Sequence, residues 1–350
     1  MANHDLPVRP PRVFIPALGG LTGLLFVLAS ACGAGGTSVP ACQVDSIGEP
    51  PTPSPESSLT LTVGSYEGAG SPQCISDLGF DPVVVIIKGD TGEFSVWRSS
   101  SMEGDSTADF ASGQPNIENA ITSLDSDAFS LGEDATVNAE DVTYYYVAFA
   151  ASPEIKAGSY VGDATEGRSI SDVGFQPALV FLKWDGPRSA VWRSTTQPDE
   201  VSSFFDGQAD RTGIIQEFEA DGFLVGSDPW VNNDGGPDDP ATYHYVAFRE
   251  VPGRLAMDSY VGDGSGSTDI TDIGFQPDYV WIKRDSDRSK AVHRPSSLSG
   301  DATLRFEGVS NGSGEITALL PDGFQVGSEP SVNSQGDTYY YIAWKSSTGP

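Results

Sequence analysis

The sequence is poor in the residue types from which most enzyme centres are built. Its 350 residues include three histidines and three cysteines, and no two cysteines form a C-x-x-C pair. It also lacks a Gly-x-Ser-x-Gly nucleophile elbow, zinc-ligand spacing and a glycine-rich phosphate loop with a lysine. His4, His244 and His293 are isolated in the sequence, and a lone histidine on a strand is usually a surface or rim residue. We therefore predict a protein that is not an enzyme, with no catalytic residue, metal ligand or cofactor.

Positive charge is also scarce. Lysine and arginine number 19 against 49 acidic residues, which gives a formal net charge of −30. A surface this acidic repels phosphate backbones, so we expect no nucleic-acid partner. Acidic loops at 163–166, 234–239 and 285–287 leave calcium binding open, although none has the EF-hand spacing. The simpler interpretation is a solvated acidic surface suited to an external or saline setting.

Long uncharged stretches are absent except near the start of the chain. Val13–Ala31 carries no charge and follows Arg9 and Arg12, a layout typical of a signal peptide over residues 1–31. Small residues run directly into Cys32, which resembles the lipobox of bacterial lipoproteins. The resemblance implies a lipid on Cys32 that anchors the exported protein in the membrane, at the outer membrane or cell surface. Ordinary cleavage after Ala31 and an uncleaved anchor are the alternatives.

Residues 32–58 are rich in glycine, proline and serine and predict a flexible to semi-extended tether. If Cys32 carries a lipid, Cys42 and Cys74 remain. An even pair of cysteines in an exported protein can form a disulfide. Such a disulfide would join the tether to the folded part of the chain.

The rest of the chain contains a threefold internal repeat. Gly-Phe-x-Pro followed by an apolar run that ends in lysine occurs at 79–88, 174–183 and 274–283. The runs are rich in β-branched and aromatic residues and are too short for helices, so they predict buried strands. Around these strands we place β-repeats at 59–151, 156–250 and 254–348.

Other segments recur in each repeat and also have strand character. Asp221-Gly222 and Asp322-Gly323 predict hairpin turns, whereas Asp127-Ala128 predicts another turn type. Six or seven short strands per repeat and no helical periodicity predict an all-β fold of three tandem, jelly-roll-like β-sandwiches. Short linkers favour a stiff row of separate sandwiches. The alternative is three units packed about a pseudo-threefold axis.

The best binding candidates follow the second predicted strand, where Trp-Arg or His-Arg recurs. An exposed indole can stack on a sugar ring, and a guanidinium group can bind a carboxylate or a pair of hydroxyls. The candidate ligand-binding residues are Trp97, Arg98, Trp192, Arg193, His293 and Arg294. Strand alternation offers a second interpretation, which we favour, in which the tryptophan faces the core.

The order of these motifs resembles a known but uncharacterised domain. Tyr-x-Gly, Gly-Phe-Gln-Pro, Asp-Gly-Phe-x-Val-Gly, Val-Asn and a closing Ala-Trp-Lys are similar to a β-rich repeat of bacteriophage tail-fibre-like and exported bacterial proteins. The match covers all three repeats and is clearest in the third. It implies a fold and attachment to a surface, and no mechanism.

Together these features predict a non-enzymatic lipoprotein of the cell envelope that binds or displays a partner. A glycan or surface polymer is the expected partner, because three weak sites on one body gain effective concentration. One alternative is a purely structural or protein-interaction module. Another is a hydrolase of envelope polysaccharide, which would need two carboxylates on opposite sides of one bond.

Overall fold

The structure, a computed structural model, describes residues 59–236, 240–285 and 289–346. It is nearly all β, with 46% strand and 3% helix, so the predicted all-β class is confirmed. The strands form three similar units, called here units 1, 2 and 3, in the order of the chain. Within the described ranges, no helix is long and apolar enough to cross a membrane. The predicted signal peptide and tether, with Cys32 and Cys42, lie outside the described residues.

Unit 1 contains a five-stranded and a three-stranded antiparallel sheet. Its elements are β1 (Leu61–Glu67), β2 (Gln73–Ser76), β3 (Pro82–Gly89), β4 (Val96–Ser99), β5 (Ala108–Asp109), β6 (Ile121–Asp125), β7 (Ala128–Leu131), α1 (Ala135–Asn138) and β8 (Thr143–Ala150). The large sheet has the order β1-β8-β3-β4-β5, and the small sheet has the order β2-β7-β6. The predicted buried strand is therefore β3, at the centre of the large sheet.

Unit 2 repeats this plan with a six-stranded large sheet. Its elements are β9 (Ile155–Val161), β10 (Arg168–Ile170), β11 (Leu179–Trp184), β12 (Val191–Ser194), β13 (Val201–Phe204), β14 (Arg211–Thr212), β15 (Ile215–Glu219), β16 (Gly222–Val225) and β17 (Thr242–Phe248). The sheet orders are β14-β13-β12-β11-β17-β9 and β10-β16-β15.

Unit 3 also has a six-stranded large sheet. Its elements are β18 (Leu255–Val261), β19 (Thr268–Ile270), β20 (Tyr279–Arg284), β21 (Val292–Pro295), β22 (Ala302–Arg305), β23 (Gly312–Ser313), β24 (Ile316–Leu320), β25 (Gly323–Val326), α2 (Pro330–Asn333) and β26 (Thr338–Trp344). The sheet orders are β18-β26-β20-β21-β22-β23 and β19-β25-β24.

Each large sheet is covered on both faces. In β3, Val85 and Ile87 pack against the small sheet of unit 1 and form the core of that sandwich. Val84 and Ile86 point to the opposite face, because successive side chains of a strand alternate. That opposite face contributes to a second core, which all three units share. A strand buried on both faces explains the nearly continuous apolar run in the sequence.

The shared core, called here the central core, is built mainly from aromatic rings. Its largest members are Trp97, Phe110, Phe149, Phe181, Trp192, Phe205, Phe248, Trp281, Phe306 and Trp344. Phe110, Phe205 and Phe306 form a triangle with ring centroids 4.7, 4.7 and 4.8 Å apart. Each unit contributes one equivalent ring, so the triangle surrounds a pseudo-threefold axis. The packing about an axis, given above as the alternative, is therefore the observed arrangement, and the stiff row is not.

A second triangle fixes the direction of the sheets relative to the axis. Phe149, Phe248 and Trp344 lie 5.3, 5.7 and 5.9 Å apart, on the second strand of each large sheet. The residues of the first triangle directly follow β5, β13 and β22. Each of these is the fifth strand of its sheet, counted from the same edge. Because both triangles surround the axis, the order of strands in each sheet runs along it.

Backbone hydrogen bonds close the three units into a ring. The Ala190 amide donates to the Phe110 carbonyl oxygen over 2.9 Å, and the Ala291 amide donates to Phe205 over 3.1 Å. The Ser95 amide donates to Phe306 over 3.0 Å, so unit 1 bonds back to unit 3. We call these contacts the 1–2, 2–3 and 3–1 junctions.

Candidate functional site

The tryptophans proposed as sugar-stacking residues are buried. Trp97 is 0% exposed and Trp192 is 1% exposed, both within the central core. Trp97 lies 5.1 Å from Phe181, and Trp192 lies 6.0 Å from Trp281, so each indole packs on the next unit. An exposed indole at these positions is therefore wrong as a geometric prediction, because the large sheets have a core on both faces. The core interpretation, which strand alternation favoured, is the one observed.

The three arginines that follow these residues hold main-chain carbonyl groups. Arg98 donates to Met102 over 3.3 Å and to Gly104 over 2.7 Å. Arg294 donates to the equivalent carbonyls of Leu298 and Gly300, and Arg193 donates to Ile215 over 3.1 Å. Burial lowers the pKa of all three guanidinium groups. Arg98 and Arg294 therefore order a loop of their own unit, and Arg193 holds the start of β15 in unit 2.

His293 belongs to a buried polar chain at the 3–1 junction. Its Nε2 lies 3.0 Å from Ser95 Oγ, and its Nδ1 lies 3.1 Å from the Tyr279 hydroxyl. Burial lowers the pKa of His293 well below its usual value, and the nearby Lys88 lowers it further. The ring is 1% exposed, so it contacts protein and no solvent-facing ligand surface.

Two of the three lysines that end the repeated apolar runs join neighbouring units. Lys183 Nζ donates to Gln114 O over 3.0 Å and to Asn116 Oδ1 over 3.1 Å, both in unit 1. It also lies 3.7 Å from Asp109 Oδ2. Lys88 donates to Val309 O of unit 3 over 3.1 Å, and burial lowers the pKa of Lys88 to about 8. The sequence indicated a strand end here but gave no sign of this role.

The recurring asparagine is a buried clamp. Asn138, Asn232 and Asn333 are each 0% exposed. Asn232 Oδ1 accepts from the Asp163 amide over 2.9 Å, and its Nδ2 donates to Thr165 O over 2.8 Å. The same side chains hold the loop after the first strand in units 1 and 3. The motif is thus structural.

The acidic loop at 163–166 is also organised internally. Asp163 Oδ1 accepts from the Thr165 amide over 2.9 Å, and Asp163 Oδ2 lies 3.5 Å from Arg168 Nη1. Glu166 accepts from the Ser227 amide over 2.9 Å. Across 59–236, 240–285 and 289–346, no group of three or more His, Cys, Asp or Glu side chains is placed to hold a metal ion. The calcium hypothesis therefore gains no support from the described loops.

Cys74 is disulfide-bonded. It lies on β2, where its backbone is opposite Ser130 of the neighbouring strand β7. Its predicted partner, Cys42, and the predicted lipidation site, Cys32, lie outside the described residues.

Unit 3 contains a cavity of about 290 Å³, lined mostly by polar and charged residues. Glu315 lines it and is 2% exposed; it accepts from Ser331 Oγ over 2.8 Å and lies 3.2 Å from Arg305 Nε. Burial raises the pKa of Glu315. In unit 2, Trp230 has the position of Ser331 in the repeat, so the smaller side chain explains the space. The carboxylate and guanidinium satisfy each other, which makes this cavity a weak candidate for ligand binding.

A Ser–His–Asp arrangement joins units 1 and 2 at the 1–2 junction. Ser101 Oγ lies 3.0 Å from His244 Nδ1, and His244 Nε2 lies 3.2 Å from Asp185 Oδ1. His244 is 5% exposed, whereas Ser101 is half-buried and the Asp185 side chain is 41% exposed. Sequence reasoning missed this group. The repeat alignment could have indicated it, because the positions of Ser101 and Asp185 carry a hydroxyl residue and an aspartate in every repeat. The position of His244 carries a histidine in the second repeat only.

The comparisons with known proteins concern the third unit. No curated protein matches the chain. Residues 255–350 match a family described as a domain of unknown function (DUF7483). Over unit 3, the chain is therefore similar to an uncharacterised domain family, and this similarity brings no activity, ligand or partner with it.

Proposed function

We propose that the chain is a lipid-anchored display module of the bacterial cell envelope. The observation that carries the proposal is the closed ring of three units around one central core. Such a body cannot bend between units without exposing aromatic rings to water, which costs about 25 cal/mol per Å² of apolar surface. A rigid body behind a tether and a lipid anchor is suited to holding a fixed surface away from a membrane.

The point of attachment supports this role. The described chain begins at Leu59, which lies in the central core, and enters β1 directly. β1 is an edge strand of its sheet, as are β9 and β18. Because the strand order runs along the axis, the described chain begins at one end of the body, and the predicted tether would join it there. The opposite end, beyond β5, β14 and β23, would point away from the membrane.

The partner is expected to be neutral or cationic. The net charge of −30 opposes contact with an anionic polymer, so an uncharged glycan fits the surface better than an acidic one. The six residues considered for this contact in the sequence are engaged in core packing or in hydrogen bonds within the protein. A partner would therefore be bound by exposed loops, and a purely structural or protein-interaction role is the alternative.

Fractionation of bacteria that express the full chain tests the anchor. We expect the wild-type protein in the membrane fraction, labelled by radioactive palmitate and cleaved by external protease. Cys32→Ala should lose the label and leave the membrane, whereas Cys42→Ala should keep the label. Equal membrane association of the wild type and Cys32→Ala would refute the lipid anchor.

A binding screen tests the partner separately. The released protein would be applied to neutral and acidic glycans in parallel. Retention by neutral glycans, with weaker retention by acidic ones as salt is lowered, would support binding. No retention by any glycan would leave a structural or protein-interaction module as the better explanation.

A further inference from the structure

We propose that Ser101, His244 and Asp185 form a nucleophilic centre that hydrolyses small carboxylic esters. The three side chains form a continuous Ser–His–Asp chain, with distances of 3.0 and 3.2 Å between successive polar atoms. In this arrangement, histidine takes the serine proton and the carboxylate holds the ring in the required tautomer. The inference goes beyond display and departs from the expectation that the chain is not an enzyme.

The hydrogen bonds assign a proton to each position. Asp185 can only accept, so the His244 proton lies on Nε2 and leaves the Nδ1 lone pair free. Nδ1 then accepts from the Ser101 hydroxyl. Ser99 Oγ lies 2.9 Å from Ser101 Oγ and must be the donor in that contact. Every bond therefore favours removal of the Ser101 proton by His244.

A further chain of contacts fixes the carboxylate. Asn116 Nδ2 donates to Asp185 Oδ1 over 2.6 Å, and the Asn116 amide donates to Asp185 O over 2.8 Å. Asn116 Oδ1 accepts from Lys183 Nζ over 3.1 Å, which fixes the orientation of the Asn116 amide group. Lys183 and Asn116 are positioning residues, and they hold Asp185 across the junction between the two units.

Access and charge stabilisation are available at the serine. Ser101 is half-buried in the loop after β4, so it lies at the edge of the 1–2 junction, from which a small ester would approach. The Ser101 amide has no acceptor among residues 59–236, 240–285 and 289–346. It can donate to an oxygen that develops negative charge beside the attacked carbon, as oxyanion donors do. The half-open position favours a short acyl group.

The other two junctions have the hydroxyl and the aspartate of this group but no histidine. Thr196 and Ser297 have the position of Ser101 in the repeats, and Asp285 and Asp90 have that of Asp185. Tyrosine replaces His244 in both cases, as Tyr340 and Tyr145. Burial raises the pKa of both tyrosine hydroxyls, and the neighbouring Asp285 and Asp90 raise it further. The hydroxyl and aspartate positions are thus present three times, and the histidine that can act as a general base occurs once.

The reaction balances with water as the only co-reactant. Ser101 Oγ bonds to the carbonyl carbon while its proton moves to His244 Nδ1. The bond from carbon to the alcohol oxygen then breaks, and that oxygen takes the proton from Nδ1 and leaves as an alcohol. Water attacks the acyl-serine and gives its proton to Nδ1. Nδ1 returns the proton to Ser101 as the carboxylic acid leaves.

The test uses two probes on the full chain. A fluorophosphonate reports nucleophilic serine, and the modified residue is identified by peptide mass spectrometry. Hydrolysis of 4-nitrophenyl acetate reports turnover. We expect modification at Ser101, and at least a 100-fold loss of the enzyme-dependent hydrolysis rate in Ser101→Ala and His244→Tyr, because base catalysis contributes about 10²–10⁴-fold. Ser297→Ala, the matched change at the 3–1 junction, should keep both signals.

His244→Tyr protects the test against misfolding, because tyrosine is the residue that the fold accepts at the other junctions. Unfolding temperatures of the variants should stay close to that of the wild type. The proposal is overturned if Ser101 remains unmodified in the wild type. It is equally overturned if His244→Tyr is modified and hydrolyses the ester at the wild-type rate.

Discussion

His293 occupies, in unit 3, the place that a tryptophan has in each of the other units. The smaller ring stacks on Phe306 with centroids 4.2 Å apart and leaves room for Tyr279, where the other units carry an aliphatic residue. Ser95 bonds to the ring from unit 1, where the other units carry alanine. The three polar residues depend on one another, because a buried ring nitrogen without a partner would cost about 1–3 kcal/mol.

Because His293 is buried, we expect the protein to lose stability in mild acid. Burial lowers its pKa in the folded protein, whereas the unfolded chain binds a proton near pH 6.5. The contribution of His293 is therefore complete above about pH 6.5 and falls as the pH decreases below that value. Between pH 7.5 and 5.5, we expect the free energy of unfolding to fall by about 1.4 kcal/mol from this group, measured by urea denaturation.

His293→Gln separates this effect from the titration of the many carboxylates. Glutamine retains a donor and an acceptor but does not titrate, so the variant should lack the component of about 1.4 kcal/mol. Identical pH profiles for the variant and the wild type would show that His293 does not cause the acid sensitivity.

At the scale of elements, a turn and a hairpin are fastened to each other in every unit. The amides of Gly79, Gly174 and Gly274 donate to the aspartate at the tip of the hairpin, Asp127, Asp221 or Asp322. The donor–acceptor distances are 2.5, 2.6 and 2.6 Å. Unit 1 keeps the bond although its hairpin lacks glycine after the aspartate. The aspartate, more than the Asp-Gly pair, is therefore the common feature.

The glycine in this contact is required by its backbone conformation. Gly274 has φ of +86°, and a Cβ there would meet nothing within 4 Å, so any cost of alanine is conformational. We expect Gly274→Ala to lower the free energy of unfolding by about 1 kcal/mol. Gly266→Ala, also in open space but without positive φ, should leave stability unchanged or raise it by up to about 1 kcal/mol. Equal effects of the two changes in thermal denaturation would contradict this explanation.

The elements themselves were largely predictable from the sequence. The apolar run of β11 and the turn at Asp221-Gly222 are local signals, because strand burial and turn geometry depend on adjacent residues. The direction faced by Trp192 was not predictable with certainty, since alternation allowed both a core and a solvent position. Only the packing of three sheets around an axis decides it, and that packing places a core on the second face as well.

The whole molecule is predicted to unfold as one cooperative unit. Phe205 of unit 2 lies in the central core and contacts Phe110 of unit 1 and Phe306 of unit 3. Phe223, also of unit 2, lies instead in the separate core of that unit. Phe205→Ala should cost about 3–5 kcal/mol and lower the stability of all three units together. Calorimetry should show one transition for the wild type and the variant. Two or more separated transitions in the wild type would refute a single cooperative body.

The site at the 1–2 junction also belongs to this scale. Ser101, Asp185 and His244 come from two units and from positions far apart in the sequence, and no local pattern connects them. The ring brings them together because the loop after β4 of unit 1 reaches β17 of unit 2. A sequence motif search therefore finds no triad, whereas the repeat pattern shows where one histidine has replaced a tyrosine.

Because the three junctions of the ring are equivalent, a chain that starts at any of the three units can form the same ring. Four residues separate β8 from β9 (151–154), and six separate β17 from β18 (249–254). Units 3 and 1 meet at an equivalent junction, although no peptide link joins the end of β26 to β1. A similarly short linker there, with a new start at β9 or β18, should give a circular permutant with the same fold. The predicted tether could then be moved to another corner of the ring without altering the three units.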